Sequence, residues 1–342
     1  VGKGFNLPLF GRLGTWPAKK HEDIMTRYKL LFATIALLAC ATARAQFKEG
    51  DAGGAKLGAS QMHKWKAGVV VTAVGGPCQN IVGYMPVPQS WPEQTVRNGE
   101  QEITPGVKVS YEMVDGAKVM VVRIPLVQAG QQAKALITFE VTRSSQVLPD
   151  EKASFELAKT KELKLDVRRY LGPSPKIETQ NAAIRKIAKE TGAEQKTAWG
   201  RVQALYDYTR DHVKYQTGGQ PRGAAGCLKD GVGDHDDMSA LFIALCRAAD
   251  IPARTVWVPE FSYAEFYLVD KKGEGHWLPC SPGGGRAFGE IQDTRPILEK
   301  GDNFKPLNNS RDHQRYLTEF LSGSPGRQGN GKPQVQFVRQ ML

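Results

Sequence analysis

Gly233-Asp234-His235-Asp236-Asp237-Met238-Ser239-Ala240-Leu241-Phe242-Ile243-Ala244-Leu245-Cys246-Arg247-Ala248-Ala249-Asp250-Ile251-Pro252-Ala253-Arg254 is the stretch whose reading decides the fold. Asp234 has the chemistry of an N-cap, and Asp236 and Asp237 put negative charge in a first turn, where the helix dipole favours it. Leu241, Leu245 and Ala248 make one apolar stripe, and Met238, Phe242, Cys246 and Ala249 make the next. A helix apolar around most of its girth is buried. Asp250 tolerates the left-handed geometry of a helix stop, and Pro252 cannot continue the helix. The alternation in Thr255-Val256-Trp257-Val258 predicts a strand.

Working outward, Tyr263 to Leu268 reads as a strand, Asp270-Lys271-Lys272-Gly273-Glu274-Gly275 as a turn, and His276-Trp277-Leu278-Pro279-Cys280 as the hairpin partner. Upstream, helices are predicted from Ile177 to Glu190 and from Thr197 to Val213, with a Gly-rich loop from Gly218 to Gly226. The aromatics of Tyr206 to Tyr215 read as core. Leu171-Gly172-Pro173-Ser174-Pro175 marks a boundary. From Trp65 to about Val167 the signal is β: Val69-Val70-Val71, Val107 to Tyr111, Val119 to Pro125 and Ala135 to Val141, with a hairpin turn at Val114-Asp115-Gly116-Ala117. Short strands between turn signals predict an antiparallel sandwich of roughly seven strands. Residues 46–64, rich in Gly and Lys, read as a flexible lead-in. Asp312 to Leu321 suggests a helix, and Gln334 to Val338 a last strand beyond a Gly/Ser/Pro linker.

The central stretch resembles the core of the transglutaminase-like (papain-related) superfamily, whose pattern is Gly-x-Cys-x-Asp followed by an apolar helix ending Leu-x-Arg-Ala-x-Gly-Ile-Pro-Ala-Arg. Tyr206 to Tyr215 and the hairpin extend the resemblance over roughly residues 175–285. It implies a cysteine at the helix start, a histidine opening the first hairpin strand and an aspartate on the second. A helix N-terminus lowers a thiol's pKa, and the thiolate is the nucleophile. Carried over by the motifs, the cysteine position is His235. The histidine position, four residues before Glu265, is Phe261. The aspartate position, bracketed by Trp277 and Pro282, is Ser281. Neither thiol, base nor carboxylate occupies its seat, so the acyl-enzyme route is closed on this reading.

Other residues could stand in. Cys227, eight residues before His235 in the predicted loop, would make a new Cys227–His235 dyad. Cys280 and His276 share a strand at i and i+4, about 13 Å apart, too far for direct pairing. Asp234-His235-Asp236-Asp237 invites a metal reading, but consecutive residues at a helix start fan out around the axis. Two of them with a distant ligand could still hold an ion, but a cap with dipole-matched acids is the simpler reading, and no metal and no cofactor is expected.

The net charge is +11 over 342 residues. From Met25 the chain reads as a secretory signal peptide: Met-Thr-Arg-Tyr-Lys, an apolar run from Leu30 to Ala39, and Ala43-Arg44-Ala45 before Gln46. The run is too short to span a membrane. Residues 1–24 would then be an over-extended reading of the gene, and Val1 fits a prokaryotic GTG start taken literally. A rival reading takes Leu37-Leu38-Ala39-Cys40 as a lipoprotein box with Cys40 acylated. Without residues 1–45 the chain has 39 basic against 33 acidic residues. No concentrated basic stripe with aromatics accompanies that charge, so nucleic acid is not an expected partner. Export permits disulfides among Cys78, Cys227, Cys246 and Cys280, though no close-spaced metal or redox pair occurs. Cys246, within the helix's apolar set, reads as a small buried hydrophobe.

The expectation is an α+β chain: a β-sandwich over 65–172, a transglutaminase-like domain over 173–290 and a C-terminal extension over 291–342. It would be exported, periplasmic or extracellular. It would lack catalysis and bind a peptide or another envelope component in the old cleft. The alternative is an active cysteine-dependent peptidase or acyltransferase using Cys227 and His235.

Overall fold

Alternation along one long strand builds the first half of the molecule. In β1 (Lys56–Val74) the residues Trp65, Ala67, Val69, Val71 and Ala73 are buried, and the residues between them face outward. The computed structural model describes residues 54–308, 311–327 and 329–342. The leader expected at 25–45, the segment before it and Cys40 lie outside the described residues. The next strands are β2 (Cys78–Pro86), β3 (Gln94–Ile103), β4 (Lys108–Val114), β5 (Ala117–Val127) and β6 (Gln132–Val147). Asp115 at φ 50° and Gly116 at φ 94° make the tight turn between β4 and β5. Ile81, Met85, Met120, Val122, Ile124, Ile137 and Phe139 fill the core with the β1 set.

The second half holds α1 (Ala182–Glu190), α2 (Ala198–His212), β7 (Lys214–Tyr215), α3 (Gly223–Asp230), β8 (Val232–Gly233) and α4 (His235–Ala248). It continues with β9 (Ala253–Val258), β10 (Phe261–Val269), β11 (Gly275–Ser281), β12 (Ala287–Phe288) and β13 (Glu299–Lys300). These last five form one antiparallel sheet in the order β12-β11-β10-β9-β13. Every residue of α4 from Asp237 to Arg247 is buried, as its two apolar stripes predict. Asp250 has φ 62°, the left-handed stop, and Ile251 N–H donates to Cys246 O at 2.9 Å.

Four expectations need correction. The flexible lead-in is a strand from Lys56 onward, because β6 is 16 residues long and pairs with it from Lys56↔Val147 through His63↔Val141. The Gly-rich loop is only partly a loop: α3 starts at Gly223. Its first amides are claimed from outside the helix, Arg222 N–H and Gly223 N–H by Asp237 Oδ1 at 2.7 and 3.0 Å and Ala225 N–H by Glu178 Oε2 at 3.0 Å. No helix forms over 312–321 in the described residues. The amide groups it would need are spent elsewhere: Gln314 exchanges both backbone bonds with Phe304, and Leu317 N–H donates to Glu299 Oε2 at 3.1 Å.

Fourth, 291–342 is no extension. Glu299 and Lys300 pair with Trp257 and Val256. Strand β14 (Phe320–Pro325) pairs with β2, and β15 (Lys332–Met341) pairs with β1. Among the described residues the sandwich therefore has eight strands, in sheets ordered β15-β1-β6-β3 and β14-β2-β5-β4.

A buried ion cluster joins the two halves within the compact unit Gly50–Leu342. Lys300 Nζ donates to Glu93 at 2.6 Å and to Glu265 at 2.5 Å. Glu265 also accepts from Arg254 Nε at 2.8 Å, and Arg143 donates to Tyr263 OH at 2.9 Å while lying 3.8 Å from Glu93. Burial pushes the Glu265 carboxyl up, but Lys300 and Arg254 more than offset this and hold it well below the usual carboxylate range. At the far end of α4, Arg247 forms a buried pair with Asp302, its Nη2 donating to both carboxylate oxygens at 2.8 Å.

Candidate functional site

The N-terminus of α4 is built by Asp234, whose carboxylate accepts from Asp236 N–H at 2.9 Å and Asp237 N–H at 3.0 Å. The cap leaves His235 as the first helical residue. Its imidazole stands between two rings, Tyr215 at 4.8 Å and Phe261 at 4.5 Å between centroids, both edge-on. Gly283 and Gly284 form the third wall: a Cβ on Gly283 would fall 2.9 Å from His235 Nδ1, and one on Gly284 3.0 Å from Cε1. Gly284 also has φ +72°, a conformation suited to glycine. This tight loop is pinned by Arg210, which donates to Pro282 O at 2.8 Å, and by Tyr206, whose hydroxyl donates to Ser281 O at 3.0 Å.

Burial lowers the His235 pKa, Asp234 opposes the effect and Arg295 adds to it, so the ring is neutral at pH 7. Its Nδ1 is buried without a hydrogen-bond partner. Phe261 opens β10 and carries the Arg295 guanidinium 5.0 Å from its ring centre. Ser281 ends β11, and its hydroxyl donates to Gly283 O at 3.0 Å.

The acids beside His235 are each engaged separately. Asp236 pairs with Arg315 at 2.8 Å, and its carboxyl is pushed up by burial and held back by that arginine. Asp237 holds the start of α3. They do not converge with the imidazole on a common point.

Cys227 lies on helix α3 rather than in a loop, fully buried, with its sulfur facing Gly233 and Asp237. Burial, and then the Asp237 charge, push its thiol up to about 12. Cys246 and Cys280 are fully buried, with thiols raised by desolvation, and Cys78 lies in the sandwich core. All four are free thiols. Two concavities, of about 350 and 250 Å³, open elsewhere: one beside Tyr84 and Phe320, the other beside Trp199 and Phe288.

Sequence reasoning missed three contributors. Tyr215, which reads as core with its aromatic neighbours, is 38% exposed, whereas Tyr206 is fully buried. The available signal was its place beyond Val213, outside the helical spacing of α2. Arg295 and the Gly283-Gly284 wall carry no signal short of the fold itself.

Residues 185–282 match the family model of the Transglutaminase-like superfamily, a span that contains His235, Phe261 and Ser281. The chain is similar in structure to a protein from Cytophaga hutchinsonii described as a "Putative Cysteine Protease", at 16% identity and a TM-score of 0.52. That likeness covers 82% of this chain and 93% of the other. A protein from Parabacteroides distasonis described as a "putative protease" aligns at 13% identity over 65% of this chain and 48% of its own, with a TM-score of 0.26. No curated protein matches the sequence. The chain thus carries a transglutaminase-like domain on a fold shared with the Cytophaga protein. No described helix is long and apolar enough to cross a membrane.

Proposed function

We propose that this chain is an exported binding protein whose transglutaminase-like domain has given up catalysis and holds a peptide or another envelope component at the N-terminus of α4. One observation carries the reading: His235 and Phe261 face each other at 4.5 Å in the seats that the family motifs give to the thiol and its base. Covalent acyl transfer needs a nucleophile within hydrogen-bond reach of a base, and a benzyl ring supplies neither. What the site retains is a neutral imidazole with an unused nitrogen, one half-exposed tyrosine and a glycine wall. The exposed Tyr215 ring suits stacking and, through its hydroxyl, hydrogen bonding to a peptide ligand, while the buried Nδ1 stays behind the glycine wall. Export rests on the Met25–Ala45 leader. A relocated Cys227–His235 dyad is disfavoured by a buried thiol that stays protonated at neutral pH.

The test joins turnover with thiol reactivity. The purified chain is assayed for peptide hydrolysis and for amine incorporation into a glutamine peptide, beside the single variant His235→Cys. Neither protein is expected to turn over, because Phe261 still fills the base position. Iodoacetamide is expected to modify the native cysteines slowly at pH 8. Rapid alkylation of Cys227 together with hydrolysis would replace this reading with the enzyme.

A further inference from the structure

We propose that the tip of the β10–β11 hairpin is a binding site for a first-row divalent cation such as Zn²⁺, held by Asp270, Glu274 and His276. One donor atom from each of the three lies within 4.8 Å of the other two. The Asp270 carboxylate is oriented by the turn. Its Oδ1 accepts from Lys272 N–H and Glu274 N–H, both at 2.9 Å, which presents Oδ2 to His276 Nε2 at 3.0 Å. These two side chains are largely shielded, at 11% and 16% exposure, whereas Glu274 is exposed.

The imidazole is also held from behind. The Gly54 backbone lies so close that a Cβ there would fall 2.9 Å from His276 Nδ1, and the Phe155 ring packs edge-on at 6.0 Å. A hairpin turn accounts for only part of this arrangement. Gly273 at φ 78° and the Asp270 bonds close the loop. Nothing in the turn requires an imidazole on that carboxylate or a second carboxylate beside them.

The donor set selects the class of ion. One imidazole nitrogen and two carboxylate oxygens suit Zn²⁺ and its first-row neighbours, whereas Ca²⁺ takes six to eight oxygens. Tetrahedral bonds of the usual length place ligand atoms roughly 3.3 Å apart. The Asp270–His276 pair at 3.0 Å therefore opens only by a few tenths of an ångström. The ion binds the Nε2 lone pair: a neutral ring then carries its one proton on Nδ1, and a ring that starts as imidazolium releases the Nε2 proton to solvent. Glu274 closes from one side, and water completes the shell. The Lys271 ammonium, the nearest sequence neighbour of like charge, is turned toward Glu151 at 3.5 Å. The site stands apart from the His235 cleft and does not depend on how that cleft is read.

The experiment is calorimetric titration of the chelator-treated full chain with ZnCl₂, repeated on His276→Gln and Glu274→Gln. One equivalent is expected to bind with a micromolar dissociation constant. His276→Gln should weaken binding at least about thirtyfold and Glu274→Gln about tenfold, on the scale by which ligand environments tune such sites. Glu274 is exposed, so its variant reports on the site without threatening the fold. Absence of saturable binding below millimolar Zn²⁺, or affinity unchanged in His276→Gln, would overturn the proposal.

Discussion

Replacing Lys300 with methionine should destabilise the whole molecule. Among the described residues Lys300 is the one cation paired with both Glu93 and Glu265, with bonds of 2.6 and 2.5 Å to the two carboxylates. Methionine keeps the length and apolar volume of the side chain and removes the charge. Glu265 would retain Arg254 at 2.8 Å, but Glu93 would be left with Arg143 at 3.8 Å, all at buried positions. Removing one partner of a buried ion pair costs about 3–5 kcal/mol, because a charge is stranded. A change of that size is a large fraction of a typical folding free energy. At roughly 2 °C per kcal/mol for a chain of this length, the melting midpoint should fall by about 6–10 °C.

Urea titration followed by tryptophan fluorescence is the assay, since Lys300 Nζ lies 5.2 Å from the Trp91 ring and Arg254 lies 4.0 Å from Trp277. The pH profile adds a second check. The Glu265 carboxyl is held low by Lys300 and Arg254, so its stabilisation is present above the unfolded carboxylate range and is lost as pH falls toward 2. The gap between wild type and Lys300→Met should therefore narrow on acidification. Adding Glu93→Gln to Lys300→Met should recover about 1 kcal/mol if the stranded Glu93 carboxylate is the cause. A loss below about 1 kcal/mol for Lys300→Met, with no pH dependence, would refute the account.

Two further predictions follow from individual contacts. Glu299 is fully buried, with one amide donor on Oε2 and none on Oε1, and burial raises its pKa well above the usual carboxylate value. Its contribution is complete below the unfolded carboxylate pKa and is lost as pH rises toward the folded one. Glu299→Gln should thus flatten the loss of stability as pH rises above the unfolded carboxylate pKa, and parallel wild-type and variant profiles in urea melts would contradict it. Gly284→Ala combines φ +72° with a Cβ 3.0 Å from the His235 ring and should cost about 1–2 kcal/mol. Gly285→Ala meets nothing within 4 Å and should stay within about 0.5 kcal/mol. Equal melts for these two glycine variants would contradict the glycine-wall geometry.

The sequence displays most plainly what is decided locally. Asp234 as cap, the apolar girth of α4, the left-handed Asp250 and the β10–β11 hairpin all depend on residues within a few positions of one another. Elements decided by distant partners were not legible. The outer half of β1 is polar and becomes a strand because β6 offers a complementary edge. Helix α3 contains Gly223 and Gly226, poor helix formers, and is started by carboxylates of Asp237 and Glu178. The segment around Gln314 has helical spacing but gives its amides to Phe304 and Glu299. The site divides in the same way. His235 and Phe261 could be placed by motif, while Tyr215, Arg295 and Gly284 reach the imidazole only through the tertiary fold.

The pairing of the first described strand with the last has a consequence for biosynthesis. Residues Trp65 to Val74 find their β15 neighbours only after residues 332–341 have emerged, with the entire helical half made in between. Until then β1 presents an open hydrogen-bonding edge along its apolar stretch. A nascent chain in that condition is slow to lock shut. The same open edge would make loss of the final ten residues a route to aggregation rather than to a trimmed but working protein.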